Sequence, residues 1–160
     1  VWVAQCLVKR MGKMTTVLAP DADDALRQTL DYWQRLKGDR SMPARRDVNP
    51  ADIPRLLPKL MLADVQGCPS DIRFRLVGTE VVGRFGCELT GRRLKEMDCG
   101  EGTDQIADSY RQTVKQSEPQ YTQCDFWIDP QRHIRMQQLL LPLSDDGERV
   151  NMILAVIHCH

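Results

Sequence analysis

The stretch from Phe74 to Leu94, FRLVGTEVVGRFGCELTGRRL, gathers glycines, hydroxyls and a cysteine of the kind that phosphate-binding and nucleophilic sites use. A phosphate cradle needs glycine-rich backbone running into a helix N-terminus, at P-loop or G-x-G-x-x-G spacing. Gly78, Gly83, Gly86 and Gly91 match neither, and Gly86 and Gly91 read as a helix stop and a turn. A nucleophilic Cys87 would need a base and an anion-stabilising group close by. The histidines, His133, His158 and His160, lie far away in sequence, so Cys87 is read as a buried spectator thiol. His158-Cys159-His160 sets two imidazoles on one side of a strand, a spacing that binds metals. With no third ligand in sight, it reads as a frayed chain end. His133 reads as solvated. Asp52 with Asp64, and Asp98 with Glu101, form no acid–base pair beyond capping and surface roles. Asp64, set in an otherwise apolar strand, is expected to bind backbone or an arginine such as Arg75.

These residues sit in a chain of 160 amino acids, enough for one domain with a core. Lys plus Arg and Asp plus Glu number 22 each, so no net charge invites nucleic acid or an anionic membrane as partner. No apolar run reaches the roughly 20 residues a membrane span needs. The opening VWVAQCLVKRMGK places its apolar part before its basic part, the reverse of a secretory signal. Residues 1–13 read as an upstream extension with Met14 as the natural start, residues 1–19 as frayed or disordered, and residues 20–160 as one domain. None of the six cysteines forms a Cys-x-x-Cys, and reduced thiols in a cytoplasm account for them.

Asp21 caps a helix over 22–37 whose Ala22, Ala25, Leu26, Leu30, Trp33 and Leu36 form one stripe, with Gly38 as the stop. Four prolines then allow only short turns, one capped by Asn49, one opened by Pro54 and ended by Pro58. Strands are predicted at 59–65 and 72–78, the second with Ile72, Phe74 and Leu76 on one face. A brief helix follows, capped by Thr79 and carrying Val81, Val82 and Phe85. A longer one over 102–116 turns Ile106, Ala107, Tyr110 and Val114 inward. Strands at 120–128, 133–143 and 149–159 close the chain. The order predicts an α+β domain: a five-stranded antiparallel sheet with helices inserted between its second and third strands. VNMILAVIH, apolar on both faces, belongs in mid-sheet and must be covered twice. The inserted helices cover one face, and helix 22–37 packs on the other or on a partner.

DYW (31–33), MPARRD (42–47), DIPRLLP (52–58), LADV, FRLVGT (74–79), FGCELTGR (85–92) and LLLPLSDDG (139–147), in this order, resemble the PAS domain. The likeness is greatest to a bacterial subfamily in which a Tyr-Trp helix and a Pro-rich turn precede the sheet, and it covers about residues 22–158. It implies a curled sheet enclosing a small-molecule cavity, and a sensory or interaction role, commonly as a dimer. Flavin photosensors of that family carry Asn-Cys-Arg where this chain has Arg93-Leu94-Lys95, so photoadduct chemistry is not supported. Haem-binding members usually take a histidine from the helical insert, and none lies between Thr79 and Pro119. The cofactor, if any, is unknown; Cys87, Met97 and Cys99 are the alternative haem ligands in that region.

The cavity wall implied by this arrangement comprises Phe74, Leu76, Val82, Phe85, Leu94, Met97, Ile106, Tyr110, Trp127 and Leu140, with Gln138 pointing inward as a polar group that needs a partner. The leading reading is a non-enzymatic sensor that binds a small ligand and signals to a second copy or a signalling protein through helix 22–37 or the outer sheet face. The alternatives are a ligand-free adaptor or dimerisation domain and, last, a small enzyme using a Cys/His pair.

Overall fold

The computed structural model describes residues 18–67, 71–97 and 102–160. The readings of residues 1–17, of the turn at 68–70, and of Asp98, Cys99 and Glu101 lie outside these. Three α-helices are described: α1 (Asp24–Lys37), α2 (Thr79–Phe85) and α3 (Thr103–Gln116). Five strands accompany them: β1 (Leu60–Val65), β2 (Ile72–Val77), β3 (Gln120–Asp129), β4 (Arg132–Leu143) and β5 (Met152–Cys159). They form one antiparallel sheet in the order β2-β1-β5-β4-β3. The strand that is greasy on both sides therefore sits in the middle, buried along nearly its whole length.

One face of the sheet receives α2 and α3, and the other receives α1. Asp23, two residues later than the expected cap, accepts from the Ala25 N–H at 2.9 Å, and Gly38 ends the helix at φ +55°. The buried stripe is Ala25, Leu26, Thr29, Tyr32 and Trp33, while Leu30 and Leu36 are only partly covered. The Trp33 indole N–H donates to the Pro142 carbonyl at 2.9 Å, which fixes the helix on its own sheet. Of the two expectations for this helix, its own sheet or a partner, the stripe takes the sheet.

The Pro-rich segment is tied down by its polar residues. Asn49 caps the turn at Pro50, accepting from Ala51 at 3.1 Å. Its own N–H donates to the Tyr32 hydroxyl at 2.9 Å. Asp47 accepts from the Ala44 N–H at 2.8 Å and pairs with Arg40 at 3.0 Å. The Pro43 carbonyl accepts from the Ser144 N–H at 2.9 Å, joining MPARRD to the turn after β4. Pro58 does not stop the segment; it lies in the first positions of a further 3-10 turn, Leu57–Lys59.

β1 and β2 pair with a register shift between Leu62 and Ala63, because Leu62 faces Leu76 but Ala63 faces Phe74. Arg75 is the extra residue of a β-bulge, and a bulge reverses the alternation beyond it. Ile72 and Phe74 stay buried while Leu76 swings to the opposite face, 45% exposed. Asp64 pairs with Arg75 at 3.2 Å, as expected.

Gly78, not Thr79, is the N-cap of α2. Its N–H donates to the Leu60 carbonyl at 2.7 Å, and a side chain there would overlap the Pro58 carbonyl. Gly86 closes α2 in the left-handed region at φ +73°, and Ser117 does the same for α3 at φ +56°. Replacing Gly78 by alanine should force the Leu57–Lys59 turn off β1. We expect a loss of about 3 kcal/mol from such a backbone clash, read as a lower urea midpoint with unchanged slope.

Candidate ligand cavity

Between the sheet and α2–α3 lies a void of about 10 Å³, lined by residues including Met61, Phe74, Phe85, Met97, Tyr110 and Met136. That is the lower limit for one water molecule. Open clefts are larger, such as one of about 600 Å³ beside α1 where Asp31, Arg35, Asp52 and Arg55 mix both signs of charge. Those are surface grooves; the void is the space between the sheet and the inserted helices.

β4 and α3 supply its polar end. Gln138 and Met136 are two apart on β4 and so share a face. The Gln138 Nε2 donates to the Ser109 hydroxyl at 2.9 Å, and that hydroxyl donates to the Ile106 carbonyl at 2.7 Å. Gln138 thus points inward, and its amide nitrogen finds a partner on α3. Tyr110, next to Ser109, meets Phe74 edge-to-face at 6.0 Å between ring centroids. Its hydroxyl is fully buried and has no hydrogen-bond partner among the described residues. The Thr122 hydroxyl on β3, opposite Gln138 in register, has none either. Burial raises the Tyr110 pKa far above that of an ordinary phenol, so it remains a neutral O–H donor.

Of the expected wall residues, Phe74, Phe85, Met97, Ile106, Tyr110 and Gln138 come together at the void. Leu94 and Leu140 are buried without lining it, and Val82 is half-buried on α2. Leu76 is removed by the bulge. Trp127 is removed by strand parity: Cys124 pairs with the void-lining Met136, so a residue three further on faces the other side. It is 55% exposed and lies tilted against His133 at 5.0 Å between ring centroids instead. Sequence reasoning missed Met61, Leu89, Met136 and Ile157 as wall residues.

Cys87 is exposed, because the left-handed Gly86 turns the chain outward after α2. The chain end is likewise no frayed tail. β5 runs through Cys159, and burial pushes that thiol up to about 11. His158 Nδ1 lies 3.4 Å from both Asp23 Oδ2 and Lys59 Nζ, beside the start of α1. Gln137 completes this junction, accepting from the Asp23 N–H at 2.8 Å and donating to the Asp21 carbonyl at 3.2 Å. His133 and Asp125 are 3.6 Å apart on the exposed hairpin. Among the described residues, no three His, Cys, Asp or Glu side chains gather to hold a metal, and no helix is long and apolar enough to cross a membrane.

A sheet ordered β2-β1-β5-β4-β3, with small helices inserted after its first hairpin, defines a class of domain, and the sequence agrees: a match to the PAS domain family spans residues 22–158. The chain belongs to the PAS domain family. No curated protein sequence matches the chain. Among solved structures, it is similar to a light-oxygen-voltage domain studied with a flavin analogue, at 12% identity and a TM-score of 0.53, covering 69% of this chain and 82% of that one. It is also similar to the light state of the blue-light photoreceptor Aureochrome1 LOV, at 9% identity and a TM-score of 0.51, covering 67% and 84%. An RNA-binding light-oxygen-voltage receptor aligns at 13% identity and a TM-score of 0.56 over 94% of this chain but 38% of its own length. At such identities the shared property is the fold: five antiparallel strands with helices.

No cysteine lines the void among the described residues, so these residues do not supply the thiol of a flavin photoadduct. A histidine-ligated haem finds no imidazole there either.

Two outcomes are expected. Tyr110→Phe deletes an unpartnered buried hydroxyl, so stability should hold or rise by about 1 kcal/mol in a chemical melt. His158 is lowered from its ordinary 6.5, chiefly by burial, with Asp23 opposing and Lys59 and His160 assisting. The unfolded chain then takes up a proton near pH 6.5 that the folded one resists, so this contribution is complete above pH 6.5 and lost as the pH falls below it. Burial raises the Asp23 pKa, but the Ala25 N–H, His158 and Lys59 outweigh it, so its net shift is downward and its contribution fades only below about pH 3.8. The melting temperature should drop between pH 7.5 and 5.5, and less steeply in His158→Gln.

Proposed function

We propose that this PAS domain is a sensory module that binds a small molecule between its sheet and α2–α3 and passes on that state through protein contacts. The observation that carries the reading is the buried hydroxyl of Tyr110, a residue lining the void, which has no partner among the described residues: such a group is costly to bury, and a ligand would relieve it. Phe74, Phe85, Met97, Tyr110 and Gln138 are the proposed contact residues. Leu140, buried on the same face of β4, and Val82 on α2 would support the wall. No nucleophile stands beside a base among the lining residues, which favours binding over catalysis.

The proposal includes a cytoplasmic setting and membership of the bacterial subfamily with the Tyr-Trp helix. Here the Tyr32 hydroxyl and the Trp33 indole lock the Pro-rich segment and β4 to α1, which gives that motif a physical purpose. The outgoing contact is to a second copy or a separate signalling protein. The outward side of α1 and the open sheet face around Trp127 are the available surfaces, since the Leu26/Trp33 stripe is occupied.

One observation favours the second reading, a ligand-free adaptor: the void is nearly filled. Native mass spectrometry of the purified chain, with a thermal-shift screen of small molecules, separates the two. A retained mass or a stabilising compound whose effect is lost in Met136→Trp supports the sensor. A clean apo mass with no stabilising compound supports the adaptor.

A further inference from the structure

The wall of the void is chemically lopsided. Three methionines from three separate places, Met61 on β1, Met97 before α3 and Met136 on β4, line it together with Phe74, Phe85, Leu89, Ile106 and Ile157. Methionine has three rotatable bonds and a polarizable thioether, so its side chain moves aside at lower cost than a branched one. A wall containing three of them can open for a small body while the backbone of β1 and β4 stays in its sheet. The polar share of the lining is Tyr110 and Gln138, and none of the described lining residues is charged.

The two polar groups are not equivalent. The Gln138 amide nitrogen is engaged by Ser109, which is itself anchored to the Ile106 carbonyl. The Tyr110 O–H has no acceptor among the described residues. An apolar lining with an unpartnered hydroxyl among the described residues selects its occupant by chemistry. A hydrocarbon would leave the hydroxyl unpaired. A carboxylate would bring a charge into a wall without a cation, which is far more costly. A neutral acceptor meets the donor with neither penalty.

Resting on the ligand-binding reading above, we infer that the cavity takes a neutral, compact, largely apolar molecule carrying a carbonyl oxygen, which accepts a hydrogen bond from the Tyr110 hydroxyl while Met61, Met97 and Met136 repack around its body. A single ring needs a dry apolar cavity of about 150 Å³, so the void of about 10 Å³ must open by the repacking of these methionines to take one.

The test is a methyl-detected NMR titration of the whole chain labelled at its methionine methyls, using cyclohexanone, methylcyclohexane and cyclohexanecarboxylate as matched probes. Cyclohexanone should shift the Met61, Met97 and Met136 signals at the lowest concentration, and cyclohexanecarboxylate should leave them in place. Tyr110→Phe should weaken cyclohexanone by about five- to tenfold, the worth of one net hydrogen bond, and leave methylcyclohexane unchanged. Met136→Leu, close in volume but branched and stiffer, should weaken both neutral probes alike. If cyclohexanone and methylcyclohexane bind equally and Tyr110→Phe affects neither, the carbonyl inference is overturned while the ligand cavity stands. If cyclohexanecarboxylate binds as tightly as cyclohexanone, the neutral-ligand inference is overturned. Should no probe move any of the three methyls, the inference and the ligand-binding reading fall together.

Discussion

The structure depends on burying β5 twice. Met152–Cys159 has no polar face to offer water, so the domain is stable only if both of its sides are covered. β1 and β4 take its edges, α2 and α3 close one face with the aid of Phe74 and Tyr110, and α1 closes the other. Much of the remaining polar chemistry serves those two covers. Trp33 to Pro142, Gln137 to the start of α1 and Gln138 to Ser109 each join the sheet to a covering helix.

This explains why the same motifs that identify the family also read as structural. The Tyr32 and Trp33 side chains point in related directions from one turn of α1 but bind different things. Tyr32 takes the Asn49 backbone of the Pro-rich segment, and Trp33 takes β4. Asp146, whose carboxylate accepts from the Arg149 and Glu148 N–H groups and from Ser144, is held down at about 2 and shapes the turn that feeds β5. These bonds set how α1 and the strands meet. The cavity lies on the far face and inherits its shape from them.

The sequence was legible where contrast existed. β5 declared its central place because it lacks a polar face, and α1 declared its burial through a stripe bounded by charge, although the true stripe is rotated to include Thr29 and Tyr32. Gln138 was recognisable as a lone polar residue among apolar neighbours. Contrast failed for Met61, Met136 and Ile157, since strands buried on both faces give no clue to which residue looks at which helix. Leu76 was misplaced because one additional residue, Arg75, reversed the parity of β2, and bulges leave no mark in an alternating pattern. Trp127 was misplaced for its size: an aromatic ring suggests a core, yet parity puts it outside. Cys87 was misplaced because burial of a small thiol is a habit of the residue type, and the backbone reversal at Gly86 decides otherwise.

Pro142 carries one more consequence. β3 begins at Gln120 opposite Leu140, so the last part of β4 has no strand partner on that side among the described residues. A bare stretch of strand edge normally invites a foreign chain to dock by backbone pairing and seed aggregates. Here the next open slot belongs to a proline, which has no donor, and its carbonyl is already claimed by the Trp33 indole. One hydrogen bond thus both clamps a helix and shuts the gap against unwanted strand addition, so loss of the indole would be expected to compromise solubility as well as folding.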